Sequence, residues 1–270
     1  MLSSFLITLR ETLEAALIIG IILSYLVRTK QTKYTTFVYL GVISGIVVSI
    51  MGALLFTILA GGFYGRAEKI FEGITMLVGA LLLTTVILWM MKQKHSVREL
   101  EHKVGIELSA GHKFGLFLLV FVSVLREGIE TVIFLGAASF ASTNNNIIDA
   151  LTGIMLAIFL GSALFVGSMK INIKKFFSTT NILLILFAAG LVAHGISELQ
   201  AAKIIPTGIE HLWDINSIID EKGPIGSMLK GLFGYNGNPS LIEVLGYAIY
   251  LTFVFVLGRK TERAHRVKVS

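Results

Sequence analysis

The chain has 270 residues, 54% of them hydrophobic, with a mean hydropathy of +0.80 and only 15% charged residues. A soluble domain usually carries about 25% charged residues, so a soluble globular enzyme is excluded, and so is disorder, which needs low hydrophobicity and high net charge. The formal charge of +6 and the absence of cysteine leave a basic membrane protein without disulfides or thiolate sites, whose metal ligands are oxygen or imidazole, with eight Met as a weak soft option.

Seven apolar runs, at 4–27, 36–60, 70–91, 114–138, 147–169, 181–199 and 241–257, predict transmembrane helices. Each is long enough, or nearly so, to cross ~30 Å of hydrocarbon. None alternates as barrel strands would. The fold class expected is all-α, a single polytopic domain over 1–270. Arg10, Glu11 and Glu14 interrupt the first run, so it reads as a span and not as a cleaved signal peptide. The polar connector 92–113 fits an amphipathic helix. All three prolines fall in the connection 200–240, which reads as a long loop with turns and short helices.

Lys and Arg counts set the orientation. With the amino terminus outside, regions facing inward (28–35, 92–113, 170–180 and the tail from 258) hold 16, and outward regions hold 5. Basic residues favour the cytoplasmic side, so the amino terminus is expected outside and the carboxyl terminus inside. That asymmetry accounts for the positive charge without nucleic acid.

The charges inside spans carry the chemistry. Residues 9–20 read LRETLEAALIIG and residues 125–136 read LREGIETVIFLG. Both contain R-E-x-x-E, as Arg10, Glu11, Glu14 and as Arg126, Glu127, Glu130. The match, at an offset of 116 residues, marks an internal duplication: repeat one at 1–91 and repeat two at 114–199, followed by a seventh span. Span one runs inward and span four outward, so the repeats are inverted, an arrangement that places a binding site near the bilayer midplane. Ionisable groups buried in a span are costly, and they mark function by default. Four carboxylates and two guanidiniums sum to a formal −2, which requires a cation or protons. Carboxylate oxygens suit hard cations, so Glu11, Glu14, Glu127 and Glu130 are the candidate metal ligands, with Arg10 and Arg126 holding them in place. An intrahelical Arg–Glu bridge that only offsets burial is the structural alternative.

Glu72, in FEG of span three, and His194 and Glu198, in HGISEL of span six, fall toward the outer side and extend the acidic groups into an entry route. His194 and Glu198 are four apart and share a helix face. Glu243, at the start of span seven, reads as interfacial. Gly128 and the Gly41-x-x-x-Gly45 pattern read as close-packing positions. Trp213 and Asp214 of the outer loop fit an aromatic interface anchor, or a lid. His95, His102 and His112 read as solvated cytoplasmic residues. No Walker motif, nucleophile elbow or HExxH occurs, so no enzyme activity is expected.

The two R-E-x-x-E motifs in spans one and four, with FEG in span three and HGxxEL in span six, resemble the oxidase-dependent iron permease family. That family includes the yeast high-affinity iron permease and the permease of the bacterial Efe iron-uptake system. The similarity covers nearly the whole chain, although Thr12 stands where many relatives carry Gly. The resemblance implies a plasma-membrane iron importer, with Glu11, Glu14, Glu127 and Glu130 as iron ligands, and the ion expected at this hard carboxylate site is ferric iron. Iron would be cargo, with no permanent cofactor. It also implies separate extracytoplasmic proteins that oxidise or deliver iron. Import of ferrous or another divalent ion, and a metal-sensing subunit without flux, stay open as alternatives.

Overall fold

The computed structural model describes residues 2–92, 100, 102, 104–106, 113–141, 147–165, 173–221 and 223–267. Among them there are long helices and no strands. The helices are α1 (Leu2–Arg28), α2 (Thr35–Ala60), α3 (Arg66–Lys92), α4 (Lys113–Ala141), α5 (Ile147–Phe165), α6 (Ile173–Ala201), α7 (Pro224–Phe233) and α8 (Leu241–Val267). Each of the seven apolar runs lies in one long helix, apart from the last residues of the fifth run. The connector 92–113, with His95 and His112, falls mostly outside the described residues.

Among the described residues, five helices are long and apolar enough to cross a membrane, at Thr32–Ala60, Arg66–Leu88, Ile147–Phe165, Lys175–Ala201 and Leu241–Arg259. α1 and α4 match them in length, but each carries the three charges of an R-E-x-x-E motif. The outer surface of the bundle confirms the apolar environment. Ile43, Val47, Met51, Leu54 and Ile58 of α2 are all exposed. An apolar face of that size would be untenable in water but suits acyl chains.

α1 packs chiefly on α5, α2 on α4 and α3 on α6, with α1 also against α4 and α8 against α6. The main core joins Ile7 of α1 to Met76, Ala80, Leu83 and Ile87 of α3, Phe134 of α4, and Leu184 and Leu191 of α6. Helices meet closely where glycines line the contact. A Cβ added at Gly153 of α5 would lie 2.2 Å from Thr8 Oγ1 and 3.1 Å from Leu9 N of α1. One added at Gly45 of α2 would lie 2.9 Å from Val124 Cβ and 3.3 Å from Leu125 N of α4. Gly20 and Gly136, which close the two twelve-residue matches, each lie against a phenylalanine ring, Phe165 of α5 and Phe56 of α2. Gly128 likewise admits Ser49 of α2, whose Oγ would lie 1.9 Å from an added Cβ.

Glu243 corrects the sequence reading. It is buried, and it caps α8: Ser240 N donates to Glu243 Oε1 at 3.2 Å and Glu243 N donates to Ser240 Oγ at 3.3 Å. This is a reciprocal capping box, which satisfies two otherwise orphaned donors at the helix start. Asn236 Nδ2 donates to its other oxygen at 2.8 Å. Glu243 is therefore a structural residue and not a loose interfacial charge.

Candidate metal centre

α1 and α4 cross with their motifs facing each other. Glu11, Glu14 and Glu127 each present a carboxylate oxygen, and these oxygens lie within 4.8 Å of one another. Two come from the first motif and one from the second, so the site belongs to neither helix alone. All three are buried, with Glu11 at 1% and Glu127 at 5% exposure. One oxygen each of Glu11, Glu127 and Glu130 is buried with no hydrogen-bond partner. Buried carboxylates that converge and keep oxygens unsatisfied are costly. A multivalent cation is the group that would satisfy them together, and an all-oxygen donor set fits a hard ion.

The two arginines are not equivalent. Arg10 is fully buried; its Nη1 donates to Glu11 Oε1 and its Nη2 lies 3.0 Å from Glu14 Oε1. It thus grips both acids of its own motif. Arg126 Nε donates to Glu130 Oε1 at 2.8 Å, and its side chain is 41% exposed. It borders a cavity of about 330 Å³ between α3 and α4, lined also by Leu82, Val86, Leu125, Ile129 and Ile133. Glu130 turns toward Arg126 and stands beside the trio of converged carboxylates without joining it.

The candidate entry residues separate into two places. α3 and α6 cross at Gly73 and Gly195, where a Cβ on either would lie 3.0 Å from the other's carbonyl oxygen. That crossing brings Glu72 and Glu198 to the same ammonium: Lys69 Nζ is 3.3 Å from Glu72 Oε2 and 2.9 Å from Glu198 Oε2. The sequence reading missed Lys69, although its i, i+3 spacing to Glu72 was a visible signal. His194 does not join them. Its Nδ1 lies 3.0 Å from Gly190 O, one turn back along α6, and its charged neighbours are Lys230 of α7 and Glu221.

With this geometry in view, comparison with known proteins is decisive. The model of the iron permease FTR1 family matches residues 1–259. The chain belongs to the FTR1 iron permease family. It is similar to the ferrous iron permease EfeU of Yersinia pestis, at 34% identity over 257 residues that cover 94% of this chain and 91% of the relative. The ferrous iron permease EfeU of Escherichia coli is 33% identical over 251 residues, with 92% and 91% covered. No solved structure matches the chain. Membership of a permease family, with several membrane-length helices, makes this FTR1-family chain a multi-pass membrane transporter, and iron is the substrate of such a permease.

Proposed function

We propose that this chain imports iron across the plasma membrane through a carboxylate site shared by its two R-E-x-x-E motifs. The observation that carries this reading is the convergence of Glu11, Glu14 and Glu127 from two helices on one buried point. Glu130 would enter the ligand shell by releasing Arg126. In this reading α1 to α6 and α8 all cross the bilayer, with the amino terminus outside and the carboxyl terminus inside, and α1–α3 and α4–α6 form an inverted repeat.

The packing supports that repeat. Shifting residue numbers by 116 carries Thr8 and Leu9 onto Val124 and Leu125, the neighbours of Gly153 and of Gly45 respectively. The same shift carries Gly20 onto Gly136, each under a phenylalanine of the other repeat's second helix. A pseudo-two-fold that exchanges α1 with α4 and α2 with α5 reproduces these contacts, and it would place Glu11 and Glu127 as equivalents about the axis.

Metal arrives by way of Glu72 and Glu198, displacing the ammonium of Lys69. It then binds the motif carboxylates, exchanging with their protons because ligation needs the ionised form, and leaves when one repeat shifts against the other. No resident cofactor is required. Extracytoplasmic proteins that oxidise or deliver iron would act as separate partners.

Ferric iron suits the hard all-oxygen donor set. Ferrous iron is a second reading, favoured by the printed names of the relatives and by the formal −2 of the two motifs, which one divalent ion neutralises. Uptake by the purified chain in sealed vesicles, with Fe(III) citrate against Fe(II) under ascorbate, tests both. Saturable uptake of one form is expected. Iron binding with no uptake of either form would contradict import and favour a sensor.

A further inference from the structure

The connection between α6 and α8 does not stay at the membrane surface. α7 packs against α6 and also touches α1 and α4. Its C-terminal glycine, Gly234, takes a φ of 66° that L side chains rarely adopt, and it lies backbone to backbone with Gly190 of α6. A Cβ built on Gly190 would be 2.5 Å from Gly234 Cα, and one built on Gly234 would be 2.0 Å from Gly190 Cα. Only two glycines fit there. Gly190 is eleven residues before the end of α6 at Ala201, about 16 Å along the helix at 1.5 Å per residue. α7 therefore dips back along the bundle.

Its position relative to the metal centre is set by α1. A Cβ on Gly231 would lie 3.5 Å from Ser3 Oγ, and Ser3, Ser4 and Ile7 are all buried. Ser3 precedes Glu11 by eight residues on the same helix, about 12 Å along its axis. α7 thus covers the end of α1 that leads to the carboxylates. Few side-chain contacts hold it down. Lys230 Nζ is 3.5 Å from Glu221 Oε2, Gly237 N donates to Glu221 Oε1 at 2.6 Å, and Tyr235 OH donates to Ile219 O at 2.9 Å. All three tie the loop to itself and none ties it to α1 or α6. Against the transmembrane helices it rests on close packing at Gly231 and Gly234 and on buried Leu232, and just beyond it Asn236 Nδ2 donates to Glu243 of α8 at 2.8 Å. Such a unit can lift as one body.

We propose that α7 is a re-entrant plug which closes the outer access to the carboxylate site and lifts at the Gly190–Gly234 contact to admit metal. The plug has meaning only if the chain carries iron, so it rests on the import reading, and its test contains a control for that reading.

The chain has no cysteine, so an introduced pair is unique. Ser3→Cys with Gly231→Cys places the new Cβ at position 231 about 3.5 Å from the site that the introduced sulfur takes over from Ser3 Oγ, close enough for a disulfide. In sealed proteoliposomes, treated with diamide and then freed of it, the cross-linked chain should take up iron at least about tenfold more slowly, as expected of a locked lid. Dithiothreitol should restore the rate. A chain shown by mass spectrometry to be cross-linked, yet transporting at the reduced rate, overturns the plug. If neither the reduced variant nor the parent chain moves iron, the import reading falls and the plug falls with it.

A second arm needs no disulfide. Gly190→Leu wedges α7 away, so the thiol of an added Ser4→Cys should react with an external charged methanethiosulfonate at least about tenfold faster than with Gly190 intact, because the covering element is displaced. Equal rates overturn the plug.

Discussion

Replacing Glu127 by Gln is expected to abolish iron uptake while leaving a folded protein. Gln keeps the size and one oxygen but loses the charge that a hard cation needs. Loss of partners that merely orient metal ligands costs ~10–100-fold, so loss of a ligand should reduce uptake by about 100-fold or more. Stability should move the other way. Glu127 is buried beside Glu11 and Glu14, and removing one of three clustered carboxylates relieves like-charge repulsion. The purified variant should melt no lower than the parent without iron, and the stabilisation that added iron gives the parent should vanish. Glu14→Gln should lose uptake alike, but it also removes an ion-pair partner of buried Arg10 and should melt lower than Glu127→Gln. Normal uptake by both variants would remove the carboxylate site from the account.

The second large effect separates the two arginines that the motif makes look identical. Arg10→Gln should cost about 3–5 kcal/mol, because removing one partner strands buried charges on Glu11 and Glu14. Most of that variant should fail to reach the membrane in folded form. Arg126→Gln should cost less than Arg10→Gln, since Arg126 pairs with Glu130 and borders a cavity instead of being enclosed between two acids. This variant should fold and bind iron, and its defect should lie in transport rate. Fluorescence-detected size-exclusion profiles, read alongside uptake, check the pair. Equal yields of folded protein would refute the asymmetry.

Much of this was legible in the sequence. The helices could be read because apolar runs of span length have few other uses, and the R-E-x-x-E motifs because six charges sat where charge is expensive. What the sequence did not show is which side of each motif faces what. Arg10 and Arg126 occupy equal places in equal motifs, but Arg10 is wholly enclosed and a cavity beside α3 opens onto Arg126. His194 and Glu198 share a helix face, yet spacing could not say that different neighbours cover them, α7 and Gly190 for one and Lys69 for the other. The dip of α7 was invisible because its cause is two glycines 44 residues apart in the chain, each unremarkable locally. Glu243 is different, because Ser240-x-x-Glu243 ahead of an apolar run is a helix-start signal that went unread.

The central claim is that one metal site is built from both motifs. Iron K-edge absorption on the purified, iron-loaded chain, with stoichiometry measured on the same sample, tests it most directly. One iron per chain in an all-oxygen shell is predicted, lost in Glu127→Gln and equally in Glu11→Gln, whose residues lie on different helices. Iron that stays bound at full stoichiometry in either variant, or that shows sulfur scatterers, would contradict it.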